Sequence, residues 1–433
     1  MRMASTLVEH PLTRWLRNAN TFWFTLYASV AVFCLYTCIF AFRKAFTAAT
    51  FEGLVFAGIS YKVWLVIAQV LGYALSKFIG IKIIAELKAH SRTFGILLMT
   101  GLASGSWLLF ALVPPPYNIV FIFTNGFPLG MVWGMVFGYL EGRRTTEVLT
   151  AALSVSFIFS GGLSRSTGAF IMRDWHVSEM WMPLVACLLF AVPMLTFLWL
   201  VDKLPPPSPL DEALRTRRQP MDGAERKRFV RTFLPGIILF TLTYILLTTF
   251  RDFRDNFSAE VWKTLGYGQS ASIFTATEVP VSIAVLIIIG SIMLIRNNAL
   301  ALMINHLIIA AGMILIAIST YLFEQNTISA PTWMILIGLG LYLGYVPFNS
   351  IFFDRLIATF RYAGTVGFIM YIADSFGYLG SISVLFFKEF GYAEVSWLHV
   401  FIQSGYIISL SGAVLILASM LYFRSKFAGW ENR

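Results

Sequence analysis

The chain has 433 residues, of which 58% are hydrophobic and only 12% charged, and its mean hydropathy is +0.75. A soluble domain carries roughly 25% charged residues, so a water-soluble globular protein is excluded and most of the chain is expected to face lipid or other helices. The formal net charge of +10 needs no nucleic acid to explain it, because Lys and Arg gather in the cytoplasmic loops of membrane proteins.

Residues 1–20 carry Arg2, His10, Arg14 and Arg17 ahead of any long apolar run, so no cleavable signal peptide is expected there. A membrane helix needs about 20 mainly apolar residues. Such runs fall at 21–49, 61–83, 93–113, 118–141, 148–171, 179–201, 232–254, 268–294, 299–322, 332–353, 362–388 and 396–424. They predict an all-α membrane protein of twelve transmembrane helices in two six-helix bundles, residues 1–201 and 232–433. The polar stretch 202–231 between them holds Pro205, Pro206 and Pro207 and then alternating charge, and reads as a linker with a short surface helix after Asp211. The linker holds Lys203, Arg215, Arg217, Arg218, Arg226, Lys227, Arg228 and Arg231. Lys82, Lys88, Arg92, Arg143, Arg144, Arg296, Arg355, Arg361, Arg424, Lys426 and Arg433 fall on the same side, against Lys62, Arg173, Lys263 and Lys388 opposite. Both termini and the linker are therefore expected in the cytoplasm.

The halves echo each other. The first run contains Tyr36-x5-Phe42-Arg43-Lys44 and the seventh Tyr244-x5-Phe250-Arg251-Asp252, the two arginines offset by 208 positions. Gly130, Gly134 and Gly138 recur every fourth residue in the fourth run, as do Gly340 and Gly344 in the tenth. Small residues at this spacing let helices approach closely in lipid. Two echoes at nearly one offset point to an internal duplication, the layout of transporters whose halves are related by an axis along the membrane normal.

Charge inside a bilayer costs at least about 2.5–3.5 kcal/mol per residue at mid-helix, so the few charges inside the runs are informative. Arg43 and Lys44 end a charge-free stretch that begins after Arg17. An Arg snorkelling to the headgroups is the plain alternative for Arg43, but an outside Arg-Lys pair runs against the positive-inside bias. Arg251, Asp252, Arg254 and Asp255 could form a self-neutralising loop, with Arg254 at the outer rim; the match to Arg43 favours a cavity position for Arg251. Lys77 reads equally as a cytoplasmic anchor or a functional lysine, and Arg165 as a structural ion pair or a substrate contact. Glu278 and Asp374, midway along their runs, read as counter-ions in preference to proton carriers. One arginine from each half suits a doubly charged oxyanion, since the guanidinium offers a permanently charged planar fork of donors.

These residues bring a family into view. The chain resembles the organophosphate:phosphate antiporter family of the major facilitator superfamily, which includes glycerol-3-phosphate and hexose-phosphate transporters. The resemblance rests on FRKAF at Phe42–Phe46, SKFIG at Ser76–Gly80, TATEVPVS around Glu278, NGFPLGMVWG at Asn125–Gly134, and AGTVGFIMYIADSFGYLGS at Ala363–Ser381. It implies the major facilitator fold, phosphoryl binding by Arg43 and Arg251, and a substrate-facing Lys77. With these, Tyr36, Tyr244 and Arg165 make up the expected binding set, and Lys44, Glu278 and Asp374 the coupling or counter-ion set. The sequence departs from the family at Ala45, where relatives have Asn, and at SFIFS before Gly161, where a His is missing.

The expected function is exchange of an organic phosphate for inorganic phosphate by alternating access. A proton-coupled permease for a carboxylate or sugar-type metabolite is the first alternative, and a transporter-like sugar-phosphate sensor the second. An enzyme is not expected, because the five histidines are scattered and there is no paired-His, phosphate-loop or nucleophile-elbow motif. Neither a cofactor nor a metal is expected. The expected partners are a small anionic solute and the lipid bilayer of a bacterial inner membrane, with no nucleic acid and a monomeric state. Cys34, Cys38 and Cys187 are an odd number in apolar runs and predict no disulfide framework.

Overall fold

The computed structural model describes residues 10–87, 91–143, 145–208, 211, 223–360, 367–391 and 396–431. After a short helix α1 (Pro11–Asn18), the first half comprises α2 (Thr21–Lys44), α3 (Tyr61–Glu86), α4 (Arg92–Leu112), α5 (Ile119–Phe137), α6 (Thr146–Asp174) and α7 (Met182–Asp202). The second comprises α8 (Gly223–Thr264), α9 (Ile273–Ile292), α10 (Asn298–Glu324), α11 (Ala330–Ser350), the short α12 (Phe352–Thr359), α13 (Gly367–Gly391) and α14 (Trp397–Glu431). Among the described residues, ten helices are long and apolar enough to cross a membrane. The expected runs at 61–83 and 362–388 form α3 and α13, of 26 and 25 residues, which are not among those ten.

Long helices follow from the solvent: hydrocarbon offers the backbone no hydrogen bonds, so each span must close its own. Their starts are marked by side chains that accept from the first turn, Asn20 from Trp23, Asn297 from Leu300 and Ser329 from Thr332. Outer faces carry exposed Leu102, Val192, Ile287 and Leu410, the surface a lipid tail would cover.

Within the first half α2 packs on α6 and α7, and α5 on α3 and α4; within the second α10 packs on α11 and α14, and α8 on α13 and α14. The halves meet along α6 with α9 and, less extensively, α6 with α11 and α3 with α13. The α3–α5 contact is backbone-close: a Cβ on Gly130 would lie 2.7 Å from the Tyr73 carbonyl.

Two elements differ from expectation. The helix expected at 232–254 runs over Gly223–Thr264, 42 residues. The last part of the expected linker is thus helical, and Arg251–Asp255 is not a loop but continuous helix whose charges find partners within the bundle. The first span covers Thr21–Ala48, close to the expected run, but its last turn is tighter: α2 ends at Lys44, a 3₁₀ turn covers Ala45–Ala48, and a two-stranded hairpin follows. Its strands, β1 (Val55–Phe56) and β2 (Ile59–Ser60), are joined by Ala57 and Gly58 with φ of 52° and 75°, the positive pair a type I′ turn requires. The helix expected after Asp211, the opening AGT of the Ala363–Ser381 motif, and Lys88, Arg144, Arg215, Arg217, Arg218, Arg361 and Arg433 lie outside the described residues.

Candidate functional site

A cavity of about 770 Å³ lies between the halves. Its inner wall is Tyr36, Arg43 and Lys44 from α2, Tyr73 and Lys77 from α3, Arg251, Asp252 and Asp255 from α8, Tyr342 and Tyr345 from α11, and Asp374 and Tyr378 from α13. The wall continues through Arg92, Arg143, Thr146 and Asn349 to the helix ends on the linker side.

Each of the two echoed arginines lies over a tyrosine ring. The Arg43 guanidinium carbon is 3.7 Å from the Tyr73 centroid, and that of Arg251 is 4.3 Å from Tyr345. Cation–π contact of this kind holds a guanidinium plane without using its donors. Arg251 also donates to the Asp252 carboxylate at 2.6 Å. Arg43 has no carboxylate partner among the described residues, and its buried Nε is unpaired. Lys44 donates to Asn256 Oδ1 at 2.6 Å. Lys77 pairs with Asp374 across the cavity at 2.6 Å, from α3 to α13. Tyr244 lies behind this pair, its hydroxyl donating to Asp374, with the Tyr345 hydroxyl 3.3 Å from the Tyr244 oxygen.

On the side away from the linker the cavity is closed by polar contacts between the halves. Arg165 on α6 reaches the Asp255 carbonyl at 2.9 Å, and its carboxylate and that of Glu278 at 3.3 Å. Glu278 also accepts from Arg254 at 2.6 Å. Lys62 pairs with Glu260 at 2.6 Å, Ser166 accepts from the Thr275 amide at 3.0 Å, and Arg173 donates to the Gln269 carbonyl at 2.7 Å. Glycines make room for this knot: a Cβ on Gly162 would sit 2.8 Å from Glu278, and one on Gly338 2.8 Å from Arg254.

Of the expected binding set, Arg43, Arg251, Lys77 and Tyr36 line the cavity; Tyr244 and Arg165 do not. Of the coupling or counter-ion set, Lys44 and Asp374 line it and Glu278 does not. Arg254, read from sequence as an outer-rim charge, is instead buried to 2% exposure, because the helix continues past it and turns it onto Glu278. Tyr73, Tyr345 and Glu260 were not singled out from the sequence, and Lys62 was read only as a charge on the side away from the linker. For Tyr73 a signal existed: it stands four residues from Lys77, on the same helix face. Among the described residues no group of three or more His, Cys, Asp or Glu could hold a metal ion.

The arrangement gathers the charged donors of Arg43, Lys44, Lys77 and Arg251 around one cavity, the chemistry that a small anion would meet. Its architecture is shared with solved transporters. A D-xylose-proton symporter matches with a TM-score of 0.61 and 17% identity, over 93% of this chain and 97% of that one. The xylose transporter XylE from E. coli, in an inward open conformation, matches with a TM-score of 0.58 and 14% identity, over 92% and 94%. At this identity the likeness is one of fold alone; the ten helices among the described residues that are long and apolar enough to cross a membrane make the chain a multi-pass membrane protein. No curated protein sequence matches the chain. A family model matches residues 45–426, and by it the chain belongs to the Family of unknown function (DUF5690).

Proposed function

We propose that the protein is a secondary transporter for a small anionic metabolite, an organic phosphate exchanged for inorganic phosphate. The observation that carries this reading is that Arg43 and Arg251, one from each half, line one cavity, each laid on a tyrosine. Both present donor forks that match a phosphoryl group. Arg251 and Lys77 are neutralised in this state by Asp252 and Asp374, and an arriving anion replaces those carboxylates. Phosphate, at about −1.5 to −2 near neutral pH, balances two arginines. Arg43, which has no carboxylate partner among the described residues, would be left uncompensated in a closed empty site, which favours exchange over one-way transport. In this reading twelve spans form two six-helix bundles that rock about the anion, with both termini and the linker cytoplasmic and the cavity open inward, as a monomer in a bacterial inner membrane.

The test is labelled phosphate uptake into proteoliposomes preloaded with phosphate, with competition by phosphorylated and plain metabolites. Counter-phosphate is expected to be required, sugar or glycerol phosphates to compete, and Arg43→Lys to weaken phosphate binding by roughly tenfold, since the charge remains but the fork is lost. Uptake at full rate without internal phosphate would falsify the exchange reading.

A second reading is favoured by the xylose transporters that share the fold and by Asp374, an acid on the cavity wall. It is a proton-coupled permease for a sugar-type metabolite with Asp374 carrying the proton. Competition by unphosphorylated sugars alone, with uptake driven by a pH gradient, would select it.

A further inference from the structure

The α-helical bonds of α2 end with the Ala45 amide on the Ala41 carbonyl. The next carbonyls are those of Phe42, buried in the bundle, and Arg43, partly buried; an acceptor without a donor is costly there. Three side chains from three other helices supply the donors. Trp107 Nε1 on α4 donates to the Phe42 carbonyl at 2.6 Å, and Asn125 Nδ2 on α5 donates to the same oxygen at 3.1 Å. Gln69 Nε2 on α3 donates to the Arg43 carbonyl at 2.8 Å. The three are cross-braced: Gln69 Nε2 also reaches Asn125 Oδ1 at 3.1 Å, and Asn125 Nδ2 the Ala103 carbonyl at 3.2 Å. All three are essentially inaccessible, at 1%, 0% and 1% exposure for Gln69, Asn125 and Trp107.

Packing alone does not call for this. A helix that continued through residues 45–48 would satisfy both carbonyls by itself, and apolar side chains would then serve better at 69, 107 and 125. The polar donors are needed only because the helix stops, and it stops at the residue that faces the cavity. Tyr73, the ring beneath the Arg43 guanidinium, is four residues from Gln69, so one face of α3 fixes both the backbone and the head group of Arg43.

We propose that Gln69, Asn125 and Trp107 are positioning residues for Arg43: they fix the break at the end of α2 so that its guanidinium is held ready in the cavity. A preorganised ligand loses less freedom when the anion binds. The proposal rests on the reading of Arg43 as an anion ligand, and its test separates the two.

The full chain is reconstituted with Cys34, Cys38 and Cys187 replaced by Ser. Arg43→Cys is labelled with a small charged thiosulfonate from the linker side, with and without Gln69→Met, which keeps side-chain length and removes both donors. Labelling at position 43 is expected to change by about tenfold, while a Tyr36→Cys reporter two turns earlier stays within about twofold, since small misplacements have large effects on reactivity. Trp107→Phe, which leaves Asn125 on the Phe42 carbonyl, is expected to give a smaller change of the same sign and serves if Gln69→Met does not fold. In the native-arginine chain, Gln69→Met is expected to raise the Kd for inorganic phosphate by roughly tenfold, and to add nothing in an Arg43→Ala background, as coupled residues do. Unchanged labelling at 43, or additive losses of phosphate binding, overturns the positioning role. A labelling change in a protein that binds no phosphate upholds the positioning role and overturns the anion reading.

Discussion

Arg251 and Arg254 stand one turn apart on α8 and have opposite surroundings. Arg251 faces the cavity over Tyr345, with Asp252 at its side. Arg254 is enclosed, held by Glu278 and by the Met334 carbonyl at 3.3 Å. Removing Arg254 takes its closer partner from the buried Glu278 and leaves it only Arg165 at 3.3 Å, a loss on the scale of breaking a buried pair, about 3–5 kcal/mol. Losing a cavity-facing charge instead leaves its partner in contact with water. Arg254→Ala is therefore expected to lower the thermal unfolding midpoint in detergent far more than Arg251→Ala. Equal shifts would show that the Arg254–Glu278 pair is not the buried strut described above. The reverse ordering holds for transport: Arg251→Ala should abolish anion exchange in protein that remains folded.

At the scale of elements, α3 organises the first half. Gln69, Tyr73 and Lys77 repeat every fourth residue, so a single face meets the end of α2, the Arg43 guanidinium and Asp374 in turn. Beside this face it is α5 that is stripped of bulk to fit α3: a Cβ on Gly130 would lie 2.7 Å from both the Ser76 Cβ and the Tyr73 carbonyl. Gly130→Ala is expected to destabilise by about 1–3 kcal/mol, as overpacking does. Gly105→Ala on α4, where nothing lies within 4 Å, should be neutral or stabilising by up to about 1 kcal/mol. Denaturation of the two variants in parallel checks this contrast; matching losses would mean that the α3–α5 contact is not tight. The four-residue glycine spacing was legible in the sequence because it is local. The end of α2 was not: AFTAATF (Ala45–Phe51) is uncharged enough to extend a helix, and only the donors from α3, α4 and α5 explain why it does not.

For the whole molecule, the contacts that join the halves are unequal on the two sides. Away from the linker they are dense and polar, from Lys62–Glu260 and Arg165–Asp255 to Ser166–Thr275. Toward the linker the cavity wall runs out to loops. In the proposed transport cycle, rocking of the halves breaks the first set and parts α6 from α9. Ser166 Oγ and Thr275 Oγ1 are 2.7 Å apart, so Cys at both positions is expected to form a disulfide across this seam, given its short reach. Oxidation should stop transport and a thiol reductant restore it; unimpeded transport by fully cross-linked protein would show that the α6–α9 seam does not open.

The sequence by itself determined the solvent, the helices and the paired arginines. Apolar length and a repeated Tyr-x5-Phe-Arg segment are properties of neighbouring residues, and hydrocarbon leaves such runs no other structure than helix. Only the tertiary structure decided which charges face the cavity and which brace the seam. The partners come from far along the chain, Asp374 lying 297 residues from Lys77 and Glu260 198 from Lys62. Whether a buried charge is free to meet a ligand depends on that partner, which no local pattern encodes.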